Sequence, residues 1–149
     1  MSRPKVVLLV GLPGSGKSTY AVSQGWPILS SDEIRRVLLD DARDQTANRE
    51  VFAMLRRMLR LRLDLRRPVT CVDATNLTPY ERRPYVKIAQ MHGAEIEAVF
   101  IDVPVAVCHE RNRGRDRVVP PEAVEKMAKR LQVPRLEEGF SDVRVLRTP

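Results

Sequence analysis

The sequence lacks most features of a secreted or membrane protein. It has only two cysteines, Cys71 and Cys108, and both fall within predicted strand or helix segments, which argues against a disulfide framework or a cysteine metal site. No stretch approaches the roughly 20 apolar residues of a membrane span. The first four residues lead straight into an apolar strand, which leaves no room for a signal peptide. We therefore expect a cytoplasmic protein with reduced, packed thiols and no membrane partner.

Acidic residues are also scarce relative to basic ones. The chain has 26 Lys and Arg against 19 Asp and Glu, a formal net charge of +7, and 21 of the 26 cations are arginine. A basic surplus favours a polyanionic partner such as nucleic acid. An arginine-rich enzyme that binds nucleotides would carry the same surplus, so charge alone does not decide. Metal ligation by histidine is not expected, because His92 and His109 each stand alone on a predicted helix.

One glycine-rich motif dominates what is present. Residues 11–19 match G-x-x-x-x-G-K-[ST] at every required position, between an apolar predicted strand at 5–10 and a predicted helix. The glycines allow successive backbone N–H groups to face a phosphate chain, Lys17 can reach the β- and γ-phosphates, and Ser18 can ligate Mg²⁺. The motif predicts binding of ATP or another nucleoside triphosphate with Mg²⁺. The expected nucleotide-binding residues within it are Gly14, Ser15, Gly16, Lys17, Ser18 and Thr19.

Strands and helices alternate along the whole chain, without internal repeats or low-complexity linkers. The predicted strands are 5–10, 28–29, 69–73, 95–102 and 142–146, and predicted helices begin at Ser18, Ser30, Glu50, Thr78, Pro104 and Pro120. This order predicts an α/β protein with a five-stranded parallel sheet flanked by helices, a P-loop NTPase or kinase fold. At 149 residues, we expect one domain over 1–149.

Helix boundaries and faces can be predicted in more detail. Ser30 with Glu33, and Thr78 with Glu81, have the spacing of capping boxes. The helix predicted over 50–67 has an apolar face and an arginine-rich face, which we expect to be solvated, with guidance of a nucleic-acid strand as the alternative. The apolar face comprises Val51, Met54, Leu55, Met58, Leu59 and Leu65, and the basic face Arg56, Arg57, Arg60, Arg66 and Arg67. We expect Met54, Met58, Trp26 and Tyr85 to be core or half-buried residues.

Ligands of such sheets bind beyond the carboxyl ends of the strands. Asp32 follows the second strand and lies three residues before Arg35, on the same helical face. A carboxylate there can act as the general base for an acceptor hydroxyl, and the arginine can grip an anionic acceptor. Asp32 could instead merely stabilise the start of its helix. Because Ser30 already supplies the cap, the role of general base is favoured.

Two polar residues mark the end of the third strand. Asp73 stands where P-loop proteins keep an acid near Mg²⁺, and it could hold a metal-bound water or orient Arg35. Asn76 follows in a loop. Both residues also suit a simple turn, and for Asn76 substrate binding and a turn role are equally favoured.

Arginines 111, 113, 115 and 117 cluster around Gly114 between two predicted helices. In P-loop kinases, a mobile segment that carries arginines closes over the γ-phosphate, neutralises charge and excludes water. We expect a helical lid over about 111–133, with Arg115 as its first catalytic candidate and Arg113 as its second.

Together these segments resemble the kinase domain of polynucleotide 5′-hydroxyl kinases. The resemblance is carried by residues 11–19, 31–35 (Ser-Asp-Glu-Ile-Arg), 73–83, 100–104 (Phe-Ile-Asp-Val-Pro), the pair 111–112 and the run 118–120, so that it spans nearly the whole chain. The P-loop is shared with many NTPases, whereas Asp-x-x-Arg and Asp-Val-Pro are much narrower signatures.

The resemblance implies ATP-dependent transfer of the γ-phosphate to the 5′-hydroxyl of DNA or RNA. Asp32 would be the general base, Arg35 would contact a phosphate of the acceptor strand, and Lys17 and Ser18 would serve the donor and Mg²⁺. Ala74 separates the strand-end acid from Thr75, and the lid is one residue shorter than in a viral family member, so that Asp73 and the choice between Arg113 and Arg115 stay open.

Two other classes of function remain compatible with these residues. One is a P-loop kinase of a small hydroxyl compound, such as a sugar, an antibiotic or a nucleotide-sugar. The other is a regulatory NTP-binding module, which would need neither Asp32 before Arg35 nor an arginine lid.

Overall fold

A computed structural model describes residues 3–114 and 119–147 of the chain. The strands are β1 (Lys5–Val10), β2 (Ile28–Ser30), β3 (Val69–Asp73), β4 (Glu95–Asp102) and β5 (Asp142–Arg147). The helices are α1 (Lys17–Ser23), α2 (Ser31–Leu39), α3 (Asn48–Asp64), α4 (Pro79–Met91), α5 (Val105–Arg113) and α6 (Pro121–Arg130), with a 3₁₀ turn at Leu136–Glu138.

The five strands form one parallel sheet in the order β2-β3-β1-β4-β5, as the alternating pattern predicts. Because all strands run the same way, their carboxyl ends meet at one edge. β2 and β3 end level with each other, since Ser30 is the register partner of Asp73. The segments that follow these two strands therefore start side by side, next to the loop that follows β1.

Both faces of the sheet are covered by apolar contacts. Val6 and Leu8 of β1 belong to a core cluster with α3 and α4, whereas Val7 and Leu9 belong to a second cluster with α1, α5 and α6. Successive side chains of a strand point to opposite faces, so a central strand buried on both sides is apolar throughout. In the described part of the chain, no helix is long and apolar enough to cross a bilayer.

Helix α3 differs from its prediction in extent and in its buried face. It spans Asn48–Asp64, earlier than the predicted 50–67, and Arg66 in the left-handed region (φ 56°) ends it before Pro68. The Arg67 N–H donates to the Arg62 carbonyl at 3.0 Å, as in a Schellman motif. The buried stripe is Val51, Leu55, Leu59 and Leu63, at a spacing of four.

Met54 and Met58 were predicted to be core or half-buried residues, and Leu65 was assigned to the apolar face of the helix, but all three are exposed. Met54 and Met58 are 41% and 38% exposed, because a stripe at strict spacing of four leaves their positions on the flank of α3; Leu65 lies beyond the helix end. Tyr85 is buried as predicted, and Trp26 is half-buried against the ring edge of Tyr20.

The capping predictions are confirmed at one helix and half confirmed at the other. At α4, the Thr78 hydroxyl accepts from the Glu81 N–H and the Glu81 carboxylate accepts from the Thr78 N–H, a complete capping box. At α2, the Ser30 hydroxyl caps the Glu33 N–H, but the Glu33 carboxylate pairs with Arg36 instead.

Candidate active site

The phosphate-binding motif forms the turn between β1 and α1. Gly14 and Gly16 have φ values of 84° and 96°, in the left-handed region that glycine adopts without strain. Gly11 donates its N–H to the Thr75 carbonyl at 3.1 Å, which ties the start of the loop to the segment after β3. Gly16 immediately precedes α1 and has no side chain to cap it, which leaves the first turn open to an anion.

Helix α5 supports the loop from behind. A Cβ atom at Gly14 would lie 2.6 Å from the Cys108 carbonyl oxygen, so the helix approaches closely only because this residue is glycine. The Asn112 side-chain amide donates to the Pro13 carbonyl at 3.1 Å, and the Arg111 guanidinium donates to the Ser15 carbonyl at 2.9 Å. The motif is therefore held in shape by contacts from a distant part of the sequence.

The loop fits a triphosphate and a magnesium ion. The hydroxyl of Ser15 is buried and has no hydrogen-bond partner among the described residues, so it is a donor left available at the loop. The Lys17 ammonium donates to the Leu12 carbonyl at 3.2 Å. The Ser18 hydroxyl donates to the Asp73 carboxylate at 2.6 Å, which brings together two oxygen ligands from α1 and β3.

This small oxygen set suits magnesium in particular. Mg²⁺ usually keeps several waters and takes one or two protein oxygens together with substrate phosphates. Within the described ranges, no group of three or more His, Cys, Asp and Glu side chains could hold a metal alone. Ser18 and Asp73 are thus the residues that would hold the ion. Of the two predicted roles for Asp73, the contact with Ser18 favours the one next to the metal.

Asp32 and Arg35 lie on the same face of α2 and are in contact, as their spacing predicts. The Arg35 side chain is only 4% exposed, and it donates through Nη1 to the Asp32 carboxylate at 2.9 Å. Its Nη2 donates to the Asn48 side-chain oxygen at 2.9 Å. The third nitrogen, Nε, is buried and has no partner among the described residues. The Asp32 side chain is 39% exposed, so its carboxylate can be reached from outside.

A cleft of about 530 Å³ is lined both by the phosphate-binding motif and by the Asp32–Arg35 pair. The predicted residues that line it are Gly14, Gly16, Lys17, Ser18, Thr19, Asp32, Arg35 and Asp73. Four further residues line the cleft without having been predicted: Gln45, Asn48, Phe52 and Arg130. They come from the segment before α3, from α3 itself and from α6, and no local motif marks them.

Asn76 does not line this cleft; it lines a neighbouring surface groove, and its role in substrate binding stays a prediction. It is buried, and its amide donates to the Leu9 carbonyl at 2.8 Å and the Ala74 carbonyl at 3.3 Å. Its φ of 49° places it in the left-handed region, where asparagine is among the tolerated residues. Asn76 thus shapes the turn after β3 and fastens it to the end of β1.

The arginines of the predicted lid differ in where they lie relative to the cleft. Arg111 lines the cleft, whereas Arg113 is exposed in the last turn of α5 and is not among the residues that line it. Arg115 lies outside the described residues. A catalytic role for Arg113 or Arg115 therefore stays a prediction.

Both cysteines are free and buried, as expected from the sequence. Burial, reinforced by the Asp73 carboxylate, raises the pKa of Cys71 to about 12. Burial also raises the pKa of Cys108. Because the thiolate is the reactive form, neither residue is suited to act as a nucleophile near neutral pH.

Comparison with known proteins agrees with this geometry. The AAA domain family matches residues 6–134. The bifunctional polynucleotide phosphatase/kinase of Schizosaccharomyces pombe is 26% identical over 148 residues, which cover 93% of this chain and 32% of that protein. This chain therefore spans about a third of that relative's length.

Two solved structures show the same fold. A chain in the structure of the Pnkp1/Rnl/Hen1 RNA repair complex matches with a TM-score of 0.76 and 25% identity, over 89% of this chain and 45% of that one. A gluconokinase from Sinorhizobium meliloti 1021 matches with a TM-score of 0.62 and 20% identity, over 99% of this chain and 86% of that one. The α/β P-loop kinase fold and the resemblance to polynucleotide kinases are thus confirmed, and the chain belongs to the AAA domain family.

Proposed function

We propose that this chain is a kinase that transfers the γ-phosphate of ATP to the 5′-hydroxyl of DNA or RNA. The observation that carries the proposal is the Asp32–Arg35 pair beside the P-loop, with a buried guanidinium nitrogen that has no partner among the described residues. A nucleic-acid end presents a hydroxyl to be deprotonated and a phosphate to be held, and this pair offers one group for each. The name of the S. pombe relative supports the same acceptor class.

On the donor side, the chain's role is to hold and neutralise phosphates. The backbone N–H groups of residues 14–18, together with Lys17, bind the β- and γ-phosphates. Magnesium, held at Ser18 with Asp73 nearby, supplies positive charge to the phosphate oxygens when bound. Neutralisation of this kind favours the transition state, in which negative charge spreads over the transferred group.

On the acceptor side, Asp32 removes the proton from the 5′-hydroxyl as the oxygen forms a bond to the γ-phosphorus. The bond from that phosphorus to the β–γ bridging oxygen breaks, and ADP leaves with the electron pair. Arg35 binds the nearest acceptor phosphate and so fixes the hydroxyl in line for attack. A lid arginine, Arg115 or Arg113, would stabilise the transferred group. The whole chain, 1–149, would be one kinase domain with a lid over about 111–133.

A small-molecule kinase is the second candidate. The gluconokinase has the same fold, and Asp32 lines the cleft where a sugar hydroxyl could bind. A sugar acceptor would use Asp32 in the same way, but a neutral sugar gives the buried Arg35 no anion to bind, and a sugar acid such as gluconate offers it a carboxylate. Arg35 therefore favours an anionic acceptor, and the net charge of +7 favours a nucleic acid among these.

The test is a transfer assay with ATP labelled at the γ-phosphate, Mg²⁺ and four kinds of acceptor. These are a 5′-hydroxyl DNA oligonucleotide, its RNA counterpart, the same DNA with a 5′-phosphate, and a panel of sugars that includes gluconate. We expect label on the 5′-hydroxyl oligonucleotides only. Label on a sugar alone would support the second candidate, and no label on any acceptor would leave a regulatory NTP-binding module.

A further inference from the structure

Helices α3 and α4 form a surface groove that opens from the active-site cleft. Phe52, Ala74, Thr75 and Glu81 line both the cleft and this groove, so that the two are continuous. Beyond these shared residues, the groove runs outward between the two helices. We call it the α3–α4 groove.

The α3–α4 groove is basic. Arg56 and Arg60 of α3 and Arg83 and Lys87 of α4 line it. Within residues 3–114 and 119–147, none of the four has a carboxylate within 4.0 Å. Four unneutralised cations on two facing helices form a strip of positive potential that leads away from the cleft.

The acidic residue of the groove, Glu81, is already engaged. Its carboxylate accepts hydrogen bonds from the Thr78 backbone N–H at 3.0 Å and from Arg130 at 3.1 Å. It therefore offers little repulsion to an incoming anion.

The groove also presents exposed apolar surfaces. The ring of Tyr80 is 77% exposed, and the Arg83 guanidinium carbon lies 6.0 Å from its centroid. An exposed aromatic ring next to an arginine is a suitable platform for a stacked base. Such a platform requires a base whose face is free, as in a single strand.

We propose that the α3–α4 groove binds the single strand that continues from the acceptor's 5′ end, an inference that rests on the proposed function. The strand's phosphates would lie along the four cations, and a base would stack on Tyr80. From Phe52 to Arg60, the helix rises about 12 Å, which corresponds to about three nucleotides at a stacked spacing of about 3.4 Å per strand. The contacts address backbone and base faces, so binding would not depend on sequence.

Only part of the basic face that the sequence predicts for α3 lines the groove. Arg56 and Arg60 line the groove, whereas Arg57 and Arg67 are exposed but do not line it. The second pair thus provides a control of equal charge from the same part of the chain.

The first test measures how salt weakens binding of a fluorescent 5′-hydroxyl octanucleotide to the full chain. Replacing Arg56 and Arg60 by Gln removes two phosphate contacts, so the slope of log K against log salt should fall by about 1.4. Between 50 and 200 mM salt, the double variant should then lose about sevenfold less affinity than the unaltered protein. The Arg57→Gln/Arg67→Gln control should keep the original slope, and equal slopes in all three proteins would overturn the proposal.

The second test separates this inference from the proposed function. The KM for transfer to a 3′-phosphorylated mononucleoside is compared with the KM for an octanucleotide. The unaltered protein should prefer the octamer, and both Arg56→Gln/Arg60→Gln and Arg83→Gln/Lys87→Gln should reduce that preference by about tenfold. Transfer to both acceptors with a preference that neither variant alters overturns the groove alone. Absence of transfer to either acceptor overturns the proposed function.

Discussion

Arg82 and Arg35 are both buried arginines, and the difference between them separates scaffold from site. Arg82 is 0% exposed, and all three of its nitrogens are bonded: Nε and Nη2 to the Glu138 carboxylate at 2.9 and 3.0 Å, and Nη1 to the Asn76 carbonyl at 2.8 Å. Arg35 is 4% exposed, but its Nε has no partner in the described part of the chain. Burial alone therefore does not indicate function, whereas a buried donor without a partner makes Arg35 a candidate for binding a ligand.

The carboxylates that pair with these two arginines also differ in exposure. The Glu138 side chain is 14% exposed, and it also accepts from the Arg135 backbone N–H, so that its pair is closed. Asp32 is 39% exposed at the cleft. Arg82 links α4 to the 3₁₀ turn and, through Asn76, to the end of β1, whereas Arg35 is held in place with one nitrogen unused.

The largest effect should come from the carboxylate that Arg35 contacts. Asp32→Asn removes the base but keeps an oxygen to accept from Arg35, so kcat for transfer should fall by about 10³-fold with little change in Kd for ATP. Steady-state kinetics and a nucleotide-binding titration measure the two quantities. Glu33→Gln, one residue away on the same helix, should leave kcat unchanged. An Asp32→Asn variant that retains most of its activity would show that Asp32 only stabilises the start of α2.

The next largest effect should be a loss of stability when the Arg82–Glu138 ion pair is broken. Arg82→Leu leaves the Glu138 carboxylate buried without its partner, and it should lower the free energy of unfolding by about 3 kcal/mol. Calorimetry should detect this as a fall in Tm of roughly 6–12 °C. The double variant Arg82→Leu/Glu138→Leu should recover part of the loss, since no unpaired charge remains. A loss as large in the double variant as in the single one would show that packing, not the ion pair, is responsible.

Replacing Arg35 should destabilise the protein less than replacing Arg82, and it should weaken binding of the oligonucleotide but not of ATP. Arg35→Leu leaves Asp32 solvated, so the free energy of unfolding should fall by no more than about 1 kcal/mol. The KM for an oligonucleotide should rise at least about tenfold, because one charge-assisted contact with phosphate is lost, while the KM for ATP holds. A rise in the KM for ATP with an unchanged KM for the oligonucleotide would place Arg35 on the donor side.

The smallest effect should be at Asn48, which positions Arg35 through Nη2. Asn48→Ala removes the accepting oxygen and should raise the oligonucleotide KM about fivefold, the equivalent of about 1 kcal/mol, without altering the KM for ATP. Asn48→Asp keeps an accepting oxygen and should restore the original value. If both variants behave like the unaltered protein, the bond from Arg35 to Asn48 has no part in acceptor binding.

Local patterns predicted the elements and the glycine-rich turn between β1 and α1. The motif at 11–19, the capping box at Thr78 and the apolar β1 strand each act over a few residues, so the sequence displays them directly. Asp32 and Arg35 were also found, because their spacing of three on a helix is local. The contact of Asp73 with Ser18, 55 residues away, was not predicted; the sequence left Asp73 between holding a metal-bound water and orienting Arg35.

What the sequence did not display depends on the packing of distant segments. Asn48 and Phe52 reach the cleft because α3 lies beside α2, and Asn48 is in α3 because the helix begins two residues earlier than expected. Asn76 looked equally suited to a turn and to a substrate, and the sequence could not show its bond to the Leu9 carbonyl, which gives it a part in the turn. The burial of Arg82 depends on a carboxylate 56 residues further along the chain.

The hydrogen bonds from Asn112 to Pro13 and from Arg111 to Ser15 join residues 99 and 96 positions apart. The nine residues of the motif are therefore not a self-sufficient unit: their shape depends on a helix that follows four of the five strands. A fragment that ended before α5 would keep the motif's sequence but lose the contacts that hold its backbone. Folding of the later half and affinity for nucleotide are thus thermodynamically linked, and a bound nucleotide should stabilise residues far from the phosphates it contacts.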